Sequence, residues 1–120
     1  MLTDDYIAGL FDGEGCVILQ THHDKRGKGY TYLEPYVCIT SCDKGLLEEI
    51  ALYMNSGTIR EKDNHRRGHS HCHQLEFKKQ ADMSNVLKRL YPMLRIKKDA
   101  ANRVIRFIDD KKERRESARE

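Results

Sequence analysis

The chain is 120 residues long, 38% hydrophobic and 34% charged, with a mean hydropathy of −0.77, which suits one compact domain and little more. Its 22 basic and 19 acidic side chains leave a formal charge of +3, too small by itself to imply a polyanionic partner. No apolar run approaches the roughly 20 residues of a bilayer span, the acidic start Met1-Leu2-Thr3-Asp4-Asp5 lacks the features of a secretory signal, and Cys16, Cys38, Cys42 and Cys72 are scattered through ordinary core-forming sequence, so an intracellular protein with reduced thiols is expected.

Leu2, Ile7, Leu10 and Phe11 recur at helical spacing behind Thr3, a plausible N-cap, with Asp4 and Asp5 where the helix dipole favours acids. Gly13 and Gly15 stop this helix, and 16–21 reads as a strand that follows without a linker. A turn at 25–29 leads to a second strand over 30–40, in which Pro35 marks an edge or a bulge or weakens the assignment. Asp43 caps a second helix with the stripe Leu46, Leu47, Ile50, Ala51 and Met54, ending at Asn55-Ser56-Gly57. Short strands at 58–62 and 71–77 flank a polar loop at 63–70. Met83, Val86, Leu87 and Leu90 give a third helix ended by Pro92, and Ile96, Ala100, Val104, Phe107 and Ile108 a fourth. The segment 111–116 is all charge, either a solvated helix extension or a frayed tail, so the domain is drawn over 1–110 with a tail at 111–120.

The order αββαββα plus one helix predicts an α+β fold: an antiparallel four-stranded sheet with helices on one face. Strand parity turns Val17, Leu19, Leu33, Val37, Ile39, Leu75 and Phe77 toward the helices. Gln20, His22, Tyr32, Glu34, Tyr36, Cys38, Arg60, Lys62, Gln74 and Glu76 fall on the open face, a polar surface suited to a duplex groove or simply to solvent.

The segment 6–15 breaks two rules of ordinary helices. Ala8, Gly9 and Gly13 strip bulk from one stripe, at roughly 1 kcal/mol for an interior glycine, so something approaches closely. Asp12 and Glu14 lie at the carboxyl end, where the dipole disfavours anions by about 0.3–1 kcal/mol each. A symmetric dimer resolves both, because two such stripes can cross and bring two Glu14 carboxylates together around a cation. Carboxylates plus the Gly13 carbonyl are hard oxygen ligands that suit Mg²⁺, which retains waters able to act as nucleophiles.

The nonapeptide Ile7-Ala8-Gly9-Leu10-Phe11-Asp12-Gly13-Glu14-Gly15 resembles the LAGLIDADG motif of homing endonucleases. Asp43-Lys44 before Leu46-Leu47, the run Gly57-Thr58-Ile59-Arg60, and 91–98 followed by Ala101-Asn102 are similar to single-motif members in the same order, so the resemblance covers nearly the whole chain. It implies a saddle-shaped sheet and a homodimer that cuts double-stranded DNA at a long pseudo-palindromic site, hydrolysing one phosphodiester per strand. It also implies a crossing made by Ile7, Ala8, Gly9, Leu10 and Asp12, with Asp12 capping or bracing the helices, and metal ligation by Glu14 and Gly13. Mg²⁺ is the implied cofactor; Mn²⁺ or Ca²⁺ can occupy the site, with Ca²⁺ not expected to support cleavage. Here Glu14 stands where aspartate is commoner, one methylene longer. Lys97 matches the basic residue near the scissile phosphate, the water-organising position falls on Thr40 or Ser41, and its basic companion falls near Lys44. Half-site reading would rest on Gln20, His22, Tyr32, Tyr36, Arg60, Lys62 and Gln74, with phosphates met by basic residues of 25–28, 66–67 and 111–115.

Two other readings compete. The cluster His69, His71, Cys72 and His73 invites zinc, but no paired Cys-x₂-Cys spacing supports it. A non-cleaving binder of the same fold, an intron maturase or a repressor, would use the same residues. The resemblance leaves the host intron or intein and an organelle, archaeal, bacterial or phage origin open.

Overall fold

Thr3 opens the first helix: its Oγ1 accepts from the Tyr6 amide at 3.2 Å, and α1 runs Asp4–Glu14. A computed structural model describes residues 1–23, 29–62 and 72–119. All of the predicted turn at 25–29 except Gly29, the loop at 63–70 and His71 lie outside the described residues, as do the phosphate contacts expected of 25–28 and 66–67. Gly15 ends α1 and begins β1 (Gly15–His23) in the same step. A side chain there would meet Phe11 backbone and ring atoms at 2.6–3.0 Å, so only glycine allows the strand to leave the helix so abruptly.

Strand β2 (Thr31–Ser41) returns antiparallel to β1. It runs straight through Pro35, because β4 pairs with β2 only from Val37 onward and the missing amide is not needed there. Asp43 caps α2 (Lys44–Met54) by accepting from the Leu46 amide at 3.1 Å, and Asn55 closes it at φ 54°. Gly57 then takes φ 106°, packed where a side chain would collide with Leu75. Strands β3 (Thr58–Lys62) and β4 (Cys72–Phe77) complete a fully antiparallel sheet in the order β1-β2-β4-β3. Helix α3 (Gln80–Leu90) passes through a short 3₁₀ turn containing Pro92 into α4 (Lys98–Arg119). The charged 111–116 segment is thus a helix extension.

The predicted α+β architecture is the observed one. Phe11, Val17, Val37, Ile39, Leu75 and Phe77 on one sheet face and α1 meet Leu47, Ile50, Val86, Leu87, Leu90 and Val104 from the helices in one core. Two packing expectations are corrected. Ile96 precedes α4 and is 76% exposed, so that helix's buried stripe is Ala101, Val104 and Ile108. Leu33 has the helix-facing parity yet is 45% exposed, because a shallow groove separates it from Phe107, Lys111 and Arg115.

At the other end of the helical layer Asp4 joins three elements. It accepts from the Tyr53 hydroxyl at 2.7 Å and pairs with Arg89 at 2.9 Å, whose guanidinium lies 4.7 Å from the Tyr53 ring centre. The hydrogen bonds from Arg89 and then Tyr53 hold the Asp4 carboxyl below its ordinary 3.8. The lowered folded value means that this contribution to stability is present above the unfolded pKa and is lost as pH falls through the folded one. Wild type should therefore exceed Asp4→Asn in unfolding stability at neutral pH, and the gap should close in acid titrations below that ordinary value; a gap independent of pH would contradict this.

Candidate functional site

Helix α1 ends against the sheet, and that junction collects the chemistry. Glu14 is its last residue and is exposed, and Gly13 beside it is exposed with open space around it. Among the described residues no hydrogen bond or ion pair ties up the Glu14 carboxylate. The Lys97 ammonium donates to the Asp12 carbonyl at 3.0 Å, placing a cation at the negative end of the α1 dipole. The poor placement of acids noted in the sequence is thereby compensated.

Asp12 is compensated differently. Its Oδ2 accepts from the Arg95 amide at 2.9 Å and its Oδ1 from the Ile96 and Lys97 amides at 3.1 and 3.0 Å, at the N-terminal approach to α4. It is an anion in a nest of backbone donors, a favourable site at the positive end of a helix. The brace it forms is within one protomer, tying α1 to the segment that carries Lys97. These partners lie more than 80 residues away in sequence, and no local signal announces them.

Not every predicted site residue arrives at this junction. Ser41 Oγ accepts from the Asp43 amide at 3.0 Å, and the register puts Ser41 opposite His73 on the helix-facing side. Its hydroxyl serves the start of α2, and Thr40, opposite Gln74, has the open-face parity instead. Lys44 sits on the first turn of α2, 3.9 Å from Glu48 one turn along. Ile7 and Ala8 are corrected as interface residues: both are 0% exposed within the single protomer and have no surface left for a partner. The outward face of α1 is Tyr6, Gly9 and Gly13, with Leu10 half-buried at its margin.

On the open face the register confirms the predicted parity. Cys16, Ile18, Gln20 and His22 lie opposite Cys38, Tyr36, Glu34 and Tyr32, and Gln74 and Arg60 face one another across β4 and β3. The side chains are already engaged. His22 Nε2 lies 2.9 Å from Glu34 and stacks on Tyr32 at 5.4 Å between ring centres, while Arg60 reaches Glu76 at 3.5 Å. Gln74 is only 8% exposed, and its amide donates to the Tyr36 hydroxyl and, at 2.8 Å, to Cys38 Sγ. It forms the floor of the sheet rather than a projecting reader, a role that parity could not distinguish. Burial pushes the Tyr36 hydroxyl above its ordinary pKa. Burial likewise raises the Cys16 thiol, opposed by the Lys97 and Lys62 ammonium groups.

As a cation site, the donor set fits in part. Glu14 and the Gly13 carbonyl, one of the last carbonyls of α1 without an intrahelical partner, are hard oxygen donors. Among the described residues, no group of three or more His, Cys, Asp and Glu side chains that could hold a metal forms within one protomer. Cys72 and His73 are described without such a group, and His69 and His71 lie outside the described residues. Among the described residues no helix is long and apolar enough to cross a membrane.

Residues 7–105 match the family model described as LAGLIDADG endonuclease. Among solved structures, the LAGLIDADG meganuclease I-CpaMI bound to uncleaved DNA superposes with a TM-score of 0.77 at 16% identity, over 96% of this chain and 40% of that one. The archaeal intron-encoded homing endonuclease I-Vdi141I complexed with DNA gives 0.72 at 20% identity, over 88% and 66%. The homing endonuclease I-CvuI on the I-CreI target with Mg, its DNA not cleaved, gives 0.72 at 18% identity, over 88% and 65%. The chain thus spans about two thirds of the two latter proteins and less of the first. At these identities the likeness is one of fold. No curated protein matches the chain.

Proposed function

This chain belongs to the LAGLIDADG endonuclease family, and from that premise we propose that two copies form a homodimer that cuts both strands of a pseudo-palindromic DNA site with a divalent cation, Mg²⁺ by preference. The observation that carries the reading is the junction itself: an exposed Glu14 carboxylate where α1 meets the sheet, with Lys97 anchored at the same helix end.

Glu14 and the Gly13 carbonyl would hold the cation, completed by the same groups of the second copy. Bound there, the cation supplies Lewis-acid stabilisation of charge on the phosphate oxygens. The chain's residues do the rest. Lys97, fixed by its bond to the Asp12 carbonyl and by the Asp12 clasp on its backbone, presents an ammonium that steadies charge developing on the scissile phosphate. The open face positions the duplex: Gln20, His22, Tyr32, Arg60 and Lys62 are its accessible polar side chains, and docking exchanges the Glu34 and Glu76 partners of His22 and Arg60 for bases or phosphates. The products are staggered ends with 5′ phosphates and 3′ hydroxyls.

The test is selection of tight binders from a randomised duplex library in Ca²⁺, followed by Mg²⁺ and sequencing of new ends. Staggered cuts centred in a pseudo-palindrome are expected; an enriched site that is never cut would make the chain a binder.

The dimer has its own signature. Gly9 and Gly13 have open space where a side chain would project, so alanine at both should leave the protomer slightly more stable, by about 0.5–1 kcal/mol each from helix propensity. The same two methyl groups would hold crossing helices apart. Sedimentation velocity should show dimer affinity reduced at least tenfold in a protein with an unchanged or raised melting temperature. Undiminished dimerisation would place the contact elsewhere.

A further inference from the structure

The chain's four cysteines stand in two neighbouring pairs. Cys16 is in register with Cys38 between β1 and β2, while Cys42 is the first residue past β2, whose last pair with β4 is Ser41–His73, and Cys72 opens β4. Alternation along the strands puts Cys16, Cys38 and Cys72 on the open face. Directly opposed residues in an antiparallel ladder have Cα atoms about 4.5–5.5 Å apart, within the roughly 4.4–6.8 Å that a disulfide spans. The Cys42 and Cys72 thiols hydrogen-bond to one another.

Access separates the pairs. Cys38 is 2% exposed and its sulfur is capped by the Gln74 amide, so this pair presents only the half-buried Cys16 to a reagent. Cys42 is exposed and Cys72 half-buried at the sheet margin, where Lys62 is the β3 neighbour of Cys72. The hydrogen bond with Cys42 pushes the Cys72 thiol above its ordinary pKa, opposed by the Lys62 ammonium, so the thiolate, the reactive form, is reached on the alkaline side.

We propose that Cys42 and Cys72 form a thiol–disulfide exchange site, closing an intramolecular bond in the presence of a low-molecular-weight disulfide such as oxidised glutathione, while Cys16 and Cys38 remain thiols. The Cys42 thiolate attacks the reagent, an S–S bond breaks, and one glutathione leaves as a thiol, giving a mixed disulfide on Cys42. The Cys72 thiolate then attacks Cys42 Sγ and displaces the second glutathione. Two protein thiols have lost two protons and two electrons, and the reagent disulfide has gained both as two thiols. The new bond staples the start of α2 to the start of β4, at the margin of the open face beside Lys62. This site stands independently of the nucleic-acid reading.

The test incubates the full chain with oxidised glutathione at mildly alkaline pH, alkylates the remaining thiols and maps peptides by mass spectrometry. A monomer with two alkylated cysteines, Cys16 and Cys38, and a peptide linking Cys42 to Cys72 is expected. Cys42→Ser should abolish the closed form, whereas Cys16→Ser should close as wild type does, with circular dichroism confirming that both variants fold. Four alkylated thiols, glutathione retained without closure, a Cys16–Cys38 link or a bond between chains would each overturn the assignment.

Discussion

Glu14→Gln should reduce strand cutting by on the order of 10³-fold or more while leaving duplex affinity unchanged or slightly higher. The amide keeps the size and the hydrogen-bonding capacity of the carboxylate but loses the charge that a hard divalent cation requires. Glu14 is exposed, and among the described residues no hydrogen bond or ion pair holds its carboxylate, so the fold should not respond to the change. Removing one negative charge near a phosphate backbone favours binding, if anything. The experiment measures cutting in Mg²⁺ and binding in Ca²⁺ on the same enriched duplex. Wild-type cutting by the variant would remove Glu14 from the metal site, and binding without cutting by the wild type would leave a fold that recognises DNA and performs no hydrolysis.

How far the site could be read from sequence depends on the range of the interactions that build it. The caps at Thr3 and Asp43, the hairpin partners and the open-face parity are decided within a few residues, by dihedral preference and by the period of two, and they emerge as read. The two acids at the end of α1 were visible as an anomaly because the helix dipole is a local property. The orientation of α1 was also within reach: Ile7 and Phe11, four apart, both bulky, belong inside, which turns Gly9 and Gly13 outward and puts Ala8 in the core. Thr40 and Ser41 differ by one residue, and a one-residue step exchanges faces, so only the pairing with β4 separates them. What no local pattern carries is the closure of the open face by its own residues, where Gln74 bonds Tyr36 and Cys38, or the embrace of Asp12 by amides from a segment far along the chain.

That embrace makes Asp12 the residue whose loss should damage both stability and catalysis. Alanine there strands three amide donors, which exposed geometry lets water satisfy in part, so the expected cost is about 2–4 kcal/mol, corresponding to a melting temperature roughly 10 °C lower. Asparagine retains one acceptor oxygen, enough for the Ile96 and Lys97 amides, and turns a donor toward Arg95, so it should fall between wild type and alanine. Stability alone would be a structural result. The positioning role predicts more: Asp12→Asn should slow cutting well below its melting temperature because the clasp that sets Lys97 against the α1 carbonyl is loosened, with binding in Ca²⁺ little changed. In a Lys97→Ala background the same substitution should cost almost nothing further in rate, since there is no longer an ammonium to position. Equal slowing in both backgrounds would show that Asp12 acts on the reaction by a route that does not pass through Lys97.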